Sequence, residues 1–317
     1  MKRALLVLLV LIGALIVLPP LWYAVFPGDP PPELPPAGRR VELPGGVGVN
    51  VVEQGTGPPV VLVHGLPGTA YDWRELSPEL AKRGRRAIAY GRVGWGRSDP
   101  RTNGTYTPEA NAAELVALLA ALDARDATLV GWSYGGVTSM IAAMTDPSRI
   151  GSLVLVGTGG PDSPDAEPPS LSGFMGFLYS DPVLRWRVAV PPTGIALMKL
   201  SSDVAFSGGP QPDWWLKGLR GNFSRGETLT TYRSEMMGIG AHPDADPADF
   251  APQSIALPTL ILHADDDRLA PVAIARYLHS LIPNSELFEY PGASHMLPVT
   301  HAADLADRIV SFSSGAP

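Results

Sequence analysis

Short aliphatic runs recur along the chain, and most are followed by a segment of helical character. Val41-Glu42 and Val47 to Val52 read as two opening strands parted by Pro44-Gly45-Gly46. Val60-Val61-Leu62-Val63 is unbroken aliphatic, the mark of a strand covered on both faces. A helical stretch from Trp73 to Lys82, a strand at Arg86 to Tyr90 and a long helix to Leu122 follow. Thr107 caps that helix, with Pro108 in its first turn and Glu109 just after. Ala127 to Val130 is the next strand, Val137 to Met144 a buried helix, and Leu153 to Val156 a further strand. Leu260 to Leu262, a helix through Leu281, Glu286 to Tyr290 and a closing helix from Ala302 to about Phe312 complete the series. Strand alternating with helix predicts an α/β architecture: a mostly parallel eight-stranded sheet with helices on both faces.

The alternation breaks from residue 159 to 250. Prolines are frequent there, and the predicted helices are short: Ser172 to Tyr179, Pro182 to Val188, Gly194 to Leu200, Pro212 to Leu219 and Glu227 to Met237. Such an insertion between strands reads as a helical cap over the carboxyl edge of the sheet. Its aromatic and methionine side chains, Trp214 and Trp215 among them, are expected mainly to pack between cap helices. The sheet domain is therefore assembled from residues 38–158 and 251–317.

The amino end has a different character. Met1-Lys2-Arg3 precedes Ala4 to Leu18, which holds no charge, and the apolar trend resumes after Pro19-Pro20 as far as Phe26. Residues 1–26 are long enough to cross a bilayer, and Trp22 and Tyr23 suit an interfacial belt. The segment is expected to be an uncleaved membrane anchor. The alternative is a cleaved secretory signal, which would release the protein. Either places the body outside the cytoplasm, in the periplasm or the extracellular space, with Lys2 and Arg3 on the cytoplasmic side. Residues 27–37, with six prolines, are a stiff linker.

Net charge of −7 without a basic cluster argues against a nucleic-acid partner. With no cysteine there are no disulfides and no thiolate chemistry, and the six histidines form no metal-binding spacing. No cofactor is implied. Oligomeric state is not legible.

The chemistry gathers at Gly131-Trp132-Ser133-Tyr134-Gly135-Gly136, between a predicted strand and a predicted helix. Glycine two residues either side of a serine is the spacing of a strained strand-to-helix turn that projects the hydroxyl. The helix amides behind it favour developing negative charge. Three further motifs stand in order at other strand ends: His64-Gly65-Leu66-Pro67-Gly68, Gly94-Trp95-Gly96-Arg97-Ser98, and a late acid and histidine. With these the chain resembles the α/β-hydrolase superfamily over about Val41 to Phe312, in particular its capped serine hydrolases.

That resemblance implies Ser133 as nucleophile, His295 as general base and Asp267 as the acid orienting it. Asp267 stands four residues before Pro271, as the family pattern asks, although Ala264 replaces the usual glycine. Asp266, Asp162 and Asp165 are the alternatives. His295 follows the last strand in a Gly-x-x-His loop, which His64, His242, His263, His279 and His301 do not. The family histidine at the position of His64 is structural more often than it takes part in proton transfer. The backbone amides of Leu66 and Tyr134 are the implied oxyanion hole. Gly91 stands where the family commonly has aspartate, which removes the usual bracing of the loop to Ser98. Serine rather than aspartate at the elbow points to acyl transfer, not to carbon–halogen or epoxide cleavage. The expected activity is hydrolysis of small or medium apolar carboxylic esters. A carbon–carbon bond hydrolase, an amidase or aminopeptidase, and a cofactor-free perhydrolase would use the same triad, and a membrane-tethered binding module is the non-enzymatic alternative.

Overall fold

The computed structural model describes residue 13 and residues 38–102, 104, 106–161, 163, 193–223, 226–238 and 250–315. Its centre is an eight-stranded sheet: β1 (Arg39–Glu42), β2 (Gly48–Gln54), β3 (Pro59–Val63), β4 (Arg86–Tyr90), β5 (Ala127–Trp132), β6 (Ile150–Val156), β7 (Thr259–Ala264) and β8 (Ser285–Tyr290). The spatial order is β1-β2-β4-β3-β5-β6-β7-β8. The β1–β2 and β2–β4 pairs are antiparallel, and every pairing from β4 through β8 is parallel.

Side chains in a strand alternate between faces, so each central strand feeds two cores. Val61, Val63, Leu129, Leu153, Leu155 and Ile261 enter one hydrophobic cluster, whereas Val60, Leu62, Val130, Val154, Val156 and Leu262 enter the other. Helices α2 (Pro108–Ala121), α3 (Tyr134–Thr145) and α7 (Val272–Leu281) close the first face through Leu115, Met140 and Leu278. Helices α1 (Leu76–Lys82) and α9 (Ala302–Gly315) close the second through Leu76, Leu80 and Ile309. A short helix, α8 (Leu297–Thr300), leads into α9.

The order reverses at β3. The chain leaves β3 for β4 on one side, then returns to place β5 on the other, with Val63 paired to both Tyr90 and Gly131. Loops leaving the carboxyl ends of adjacent β3 and β5 therefore part and open a crevice, where open α/β sheets place their ligands.

Cap helices α4 (Thr193–Ala205), α5 (Asp213–Phe223) and α6 (Gly226–Gly238) stand between β6 and β7 in the sequence. Trp215, expected to pack between cap helices, is buried against Phe206 of the cap segment but also against Trp132 of β5, and its indole N–H donates to Ser202 Oγ at 2.8 Å. The predicted helices at 172–179 and 182–188, the alternative acids Asp162 and Asp165, and the predicted anchor and linker (Gly13 apart) lie outside the described residues. Among the described residues no helix is long and apolar enough to cross a membrane.

Candidate active site

Ser133 joins β5 to α3 at φ 54°, ψ −123°, a backbone conformation that L-residues avoid and that a tight turn must enforce. Its neighbours show why. A Cβ on Gly131 would lie 2.6 Å from the Gly135 carbonyl oxygen and from Gly136 Cα. One on Gly135 would lie 2.0 Å from the Val63 carbonyl oxygen, and one on Gly136 2.0 Å from Thr158 Oγ1. Only hydrogen fits at these positions, so the turn closes and the helix abuts β3. The turn is pinned from β6 as well, where Ser133 N–H donates to the Val156 carbonyl (3.0 Å) and Thr158 Oγ1 to the Ser133 carbonyl (3.2 Å).

Asp267 and His295 come from the loops after β7 and β8, on the same edge of the sheet. His295 Nδ1 donates to Asp267 Oδ2 at 2.7 Å, with both residues buried. Asp267 Oδ1 accepts the backbone N–H groups of Leu269 (2.9 Å) and Ala270 (2.8 Å). Burial opposes ionisation of Asp267, but His295, His263 and the Ala270 amide outweigh it and hold the carboxyl below its ordinary range. The Asp267 carboxylate is thus charged and fixed, and it sets the imidazole of His295 with its proton on Nδ1 and Nε2 free to act as a base. Gly157 leaves room for the pair: a Cβ there would sit 3.3 Å from Asp267 Oδ2 and 3.4 Å from His295 Nδ1. Trp132, adjacent to Ser133, donates its indole N–H to the His295 carbonyl at 3.1 Å. The serine turn and the histidine loop are therefore tied directly.

The other acid, Asp266, faces outward and pairs with Arg268 at 3.2 Å. His263 was not expected near the acid. It belongs to β7 and is fully buried; its Nε2 donates to the Ala270 carbonyl (2.7 Å) and lies 3.5 Å from Asp267 Oδ2. His64 is held by backbone groups at both ring nitrogens. Its Nε2 accepts the Arg92 backbone N–H (3.0 Å), so its proton is on Nδ1, directed at the Gly65 carbonyl (2.9 Å). Burial, together with the Arg92 charge, keeps its pKa well below that of a free imidazole.

Tyr134 follows the serine in the chain, and Leu66 follows Gly65, whose backbone packs against it. The Gly65 backbone approaches so closely that a Cβ there would be 3.0 Å from Ser133 Cβ. Tyr134 opens α3, so its N–H has no carbonyl within the helix to bond. The loop from Gly91 to Ser98 lacks the aspartate brace but is held by other groups. Ser98 Oγ donates to the Gly91 carbonyl (2.6 Å) and accepts from Asn50 N–H (3.0 Å), while Asp99 pairs with Arg40 at 2.6 Å.

A buried ion pair that the sequence did not announce lies behind this edge. Glu235 of α6 and Arg92, 1% exposed or less, pair in hydrogen-bonding contact. Glu235 also accepts from Trp95 Nε1 (3.0 Å) and Asn111 Nδ2 (2.7 Å). Glu235 lies 143 residues from Arg92 in a cap helix of unremarkable pattern, so nothing local marked it. Arg92, an arginine just past an apolar strand end, was the available signal.

Among the described residues no group of histidines and acids could hold a metal ion. The arrangement offers a projecting hydroxyl, an imidazole oriented by a carboxylate, and backbone N–H donors on the same edge. The model of the family described as "alpha/beta hydrolase fold" matches residues 58–302. The chain belongs to that family of hydrolytic enzymes. Relatives include a non-heme haloperoxidase of Rhodococcus erythropolis, 29% identical over 81% of this chain and 93% of that protein. A 2-hydroxy-6-oxo-2,4-heptadienoate hydrolase of Pseudomonas putida is 31% identical over 82% of this chain and 90% of its own length. An esterase from Exiguobacterium antarcticum shares the fold at a TM-score of 0.73 and 22% identity, covering 88% of this chain and all of that one.

Proposed function

We propose that this chain is a serine hydrolase that cleaves small or medium apolar carboxylic esters through an acyl-enzyme. The reading rests on one observation: a serine held at positive φ on the same sheet edge as a buried, hydrogen-bonded Asp267–His295 pair. Ser133 Oγ attacks the acyl carbon while His295 Nε2 takes its proton. The carbonyl electrons move onto the oxygen, which the amides of Leu66 and Tyr134 receive. Collapse expels the alcohol, protonated by His295. Water then repeats the sequence on the ester and releases the acid.

A neutral substrate suits the charges near the site. The buried Arg92 is already matched by Glu235 and is not free to take a substrate carboxylate. Carbon–carbon bond hydrolysis, amide hydrolysis and perhydrolysis are the rival reactions on the same groups, and relatives named as a haloperoxidase and a dienoate hydrolase keep esters from being the sole choice. A panel of activated esters, amides and dienoate ketones, each assayed with and without peroxide, separates them. Ser133→Ala should lose about 10⁶ in kcat on the best ester. Retained turnover in that variant would end the assignment. In this reading residues 1–26 tether the enzyme outside the cytoplasm. Their removal would leave ester turnover intact while moving the protein from the membrane to the soluble fraction.

A further inference from the structure

The buried Arg92–Glu235 pair touches the Gly65–Leu66 peptide, which carries one of the two proposed oxyanion amides, and the ring of Tyr134, which supplies the other. Arg92 Nη2 donates to the Gly65 carbonyl at 3.0 Å. That carbonyl belongs to the same planar peptide as the Leu66 N–H, so fixing the oxygen fixes the direction of the N–H. A charge-assisted bond to the oxygen also polarises the peptide and strengthens the N–H as a donor. His64 Nδ1–H bonds the same oxygen from the other side of the loop, at 2.9 Å. On the second residue, Tyr134, the Arg92 guanidinium lies 4.6 Å from the ring centroid. Asn111 Nδ2 reaches both the Tyr134 hydroxyl (3.2 Å) and Glu235 Oε1 (2.7 Å). Arg92 is fully buried, and burial disfavours its charge, but Glu235 first, with Tyr134 and Tyr90, more than restores it. Glu235 comes from the cap, and Arg92, Trp95 and Asn111, which bond its carboxylate, all come from the sheet domain.

We propose that Arg92, held in place by Glu235 of the cap, is a positioning residue that orients and polarises the Leu66 amide and braces Tyr134. The cap then contributes to transition-state stabilisation through the oxyanion hole. The inference rests on the serine-hydrolase reading.

The test uses the full chain and the paired variant Arg92→Met/Glu235→Gln, which removes both charges without leaving either one buried alone. Two quantities are read: kcat and KM on an activated ester, and affinity for a trifluoromethyl ketone of matching acyl length. Ser133 adds to the ketone carbon, its proton passes to His295, and the carbonyl oxygen becomes an oxyanion in the hole. Removing an oxyanion donor outright costs about 10²–10³ in rate, so disordering one should cost about 10–100-fold in kcat. KM should move by no more than about twofold, and ketone affinity should fall in step with kcat/KM. Arg92→Lys keeps the charge but not the planar fork, and should lie between wild type and the paired variant. If the paired variant does not fold, as judged by its thermal transition, Arg92→Lys alone decides by the same two readings. Wild-type kcat and ketone affinity in a folded variant, or a change confined to KM, would overturn the inference while leaving the hydrolase reading standing. A wild-type protein that turned over no ester and bound no ketone would overturn both.

Discussion

Replacing Asp267 by asparagine changes one atom, yet the hydrogen bonds around it fix the outcome. Oδ1 accepts two backbone N–H groups and Oδ2 accepts the His295 Nδ1 proton. The asparagine has one carbonyl and one amino group to place. With the amino group toward Leu269 and Ala270, one buried and one half-buried donor would face a donor, at up to about 1–3 kcal/mol each. The carbonyl therefore stays on the two amides, and the amino group points at His295. A donor there requires Nδ1 to be the acceptor, which moves the imidazole proton to Nε2. The nitrogen that should accept the serine proton is then already protonated. The expected loss in kcat is about 10⁴, near 5.5 kcal/mol in the barrier. Steady-state hydrolysis of an activated ester at neutral pH measures it, with a thermal melt to show that the variant is folded. Asp266→Asn is the internal control: that side chain pairs with Arg268 and is 46% exposed, so its kcat should stay within about twofold. A loss below about 10² in folded Asp267→Asn, or a larger loss in Asp266→Asn, would refute the reasoning.

Two further outcomes follow from the same geometry. Gly136→Ala would bring a Cβ within 2.0 Å of Thr158 Oγ1 and should destabilise the fold by about 3 kcal/mol or more, read as a fall in the denaturation midpoint. Burial raises the Asp72 carboxyl from 3.8 to about 7, against the opposing hydrogen bonds from Thr69. Between those values the folded state holds a proton that the unfolded chain has released, so Asp72 favours folding most at acidic pH and progressively less up to about pH 7. The difference in stability between wild type and Asp72→Asn, measured by denaturant titration across that range, should therefore change by up to about 4 kcal/mol. A flat difference would contradict it.

Much of this fold can be read along the chain because the central strands are buried on both faces and therefore aliphatic throughout. The β4 boundaries match the expectation at both ends, since Arg86 and Gly91 flank an uninterrupted apolar run. Other boundaries depend on contacts made far away. Helix α3 begins at Tyr134, before the expected Val137, because the poor helix formers Gly135 and Gly136 are dictated by close approach to β3 and Thr158. Strand β7 runs on through His263, whose buried imidazole finds the Ala270 carbonyl across a loop. Strand β6 begins at Ile150, although Gly151 and Ser152 interrupt the apolar run; Gly151 lies against the Asp126 carbonyl, where a Cβ would be 3.0 Å from the oxygen.

The candidate site divides in the same way. Ser133 and the glycines around it are a local pattern with a local cause. Asp267 is one of three consecutive aspartates, and only the family spacing preferred it; what distinguishes it physically is two amides and an imidazole from elsewhere in the chain. Of the Arg92–Glu235 pair only Arg92 left a local trace; Glu235 had none, since the two meet only when the cap docks on the sheet domain.

The central claim is that one serine, at the β5–α3 turn, is the activated nucleophile. Intact-mass and peptide analysis after treatment with a fluorophosphonate tests it without knowledge of the natural substrate. The account predicts a single adduct, on the peptide carrying Ser133, that is abolished in Ser133→Ala and strongly slowed in Asp267→Asn. An unlabelled wild-type protein, or an adduct that persists in Ser133→Ala, would contradict it.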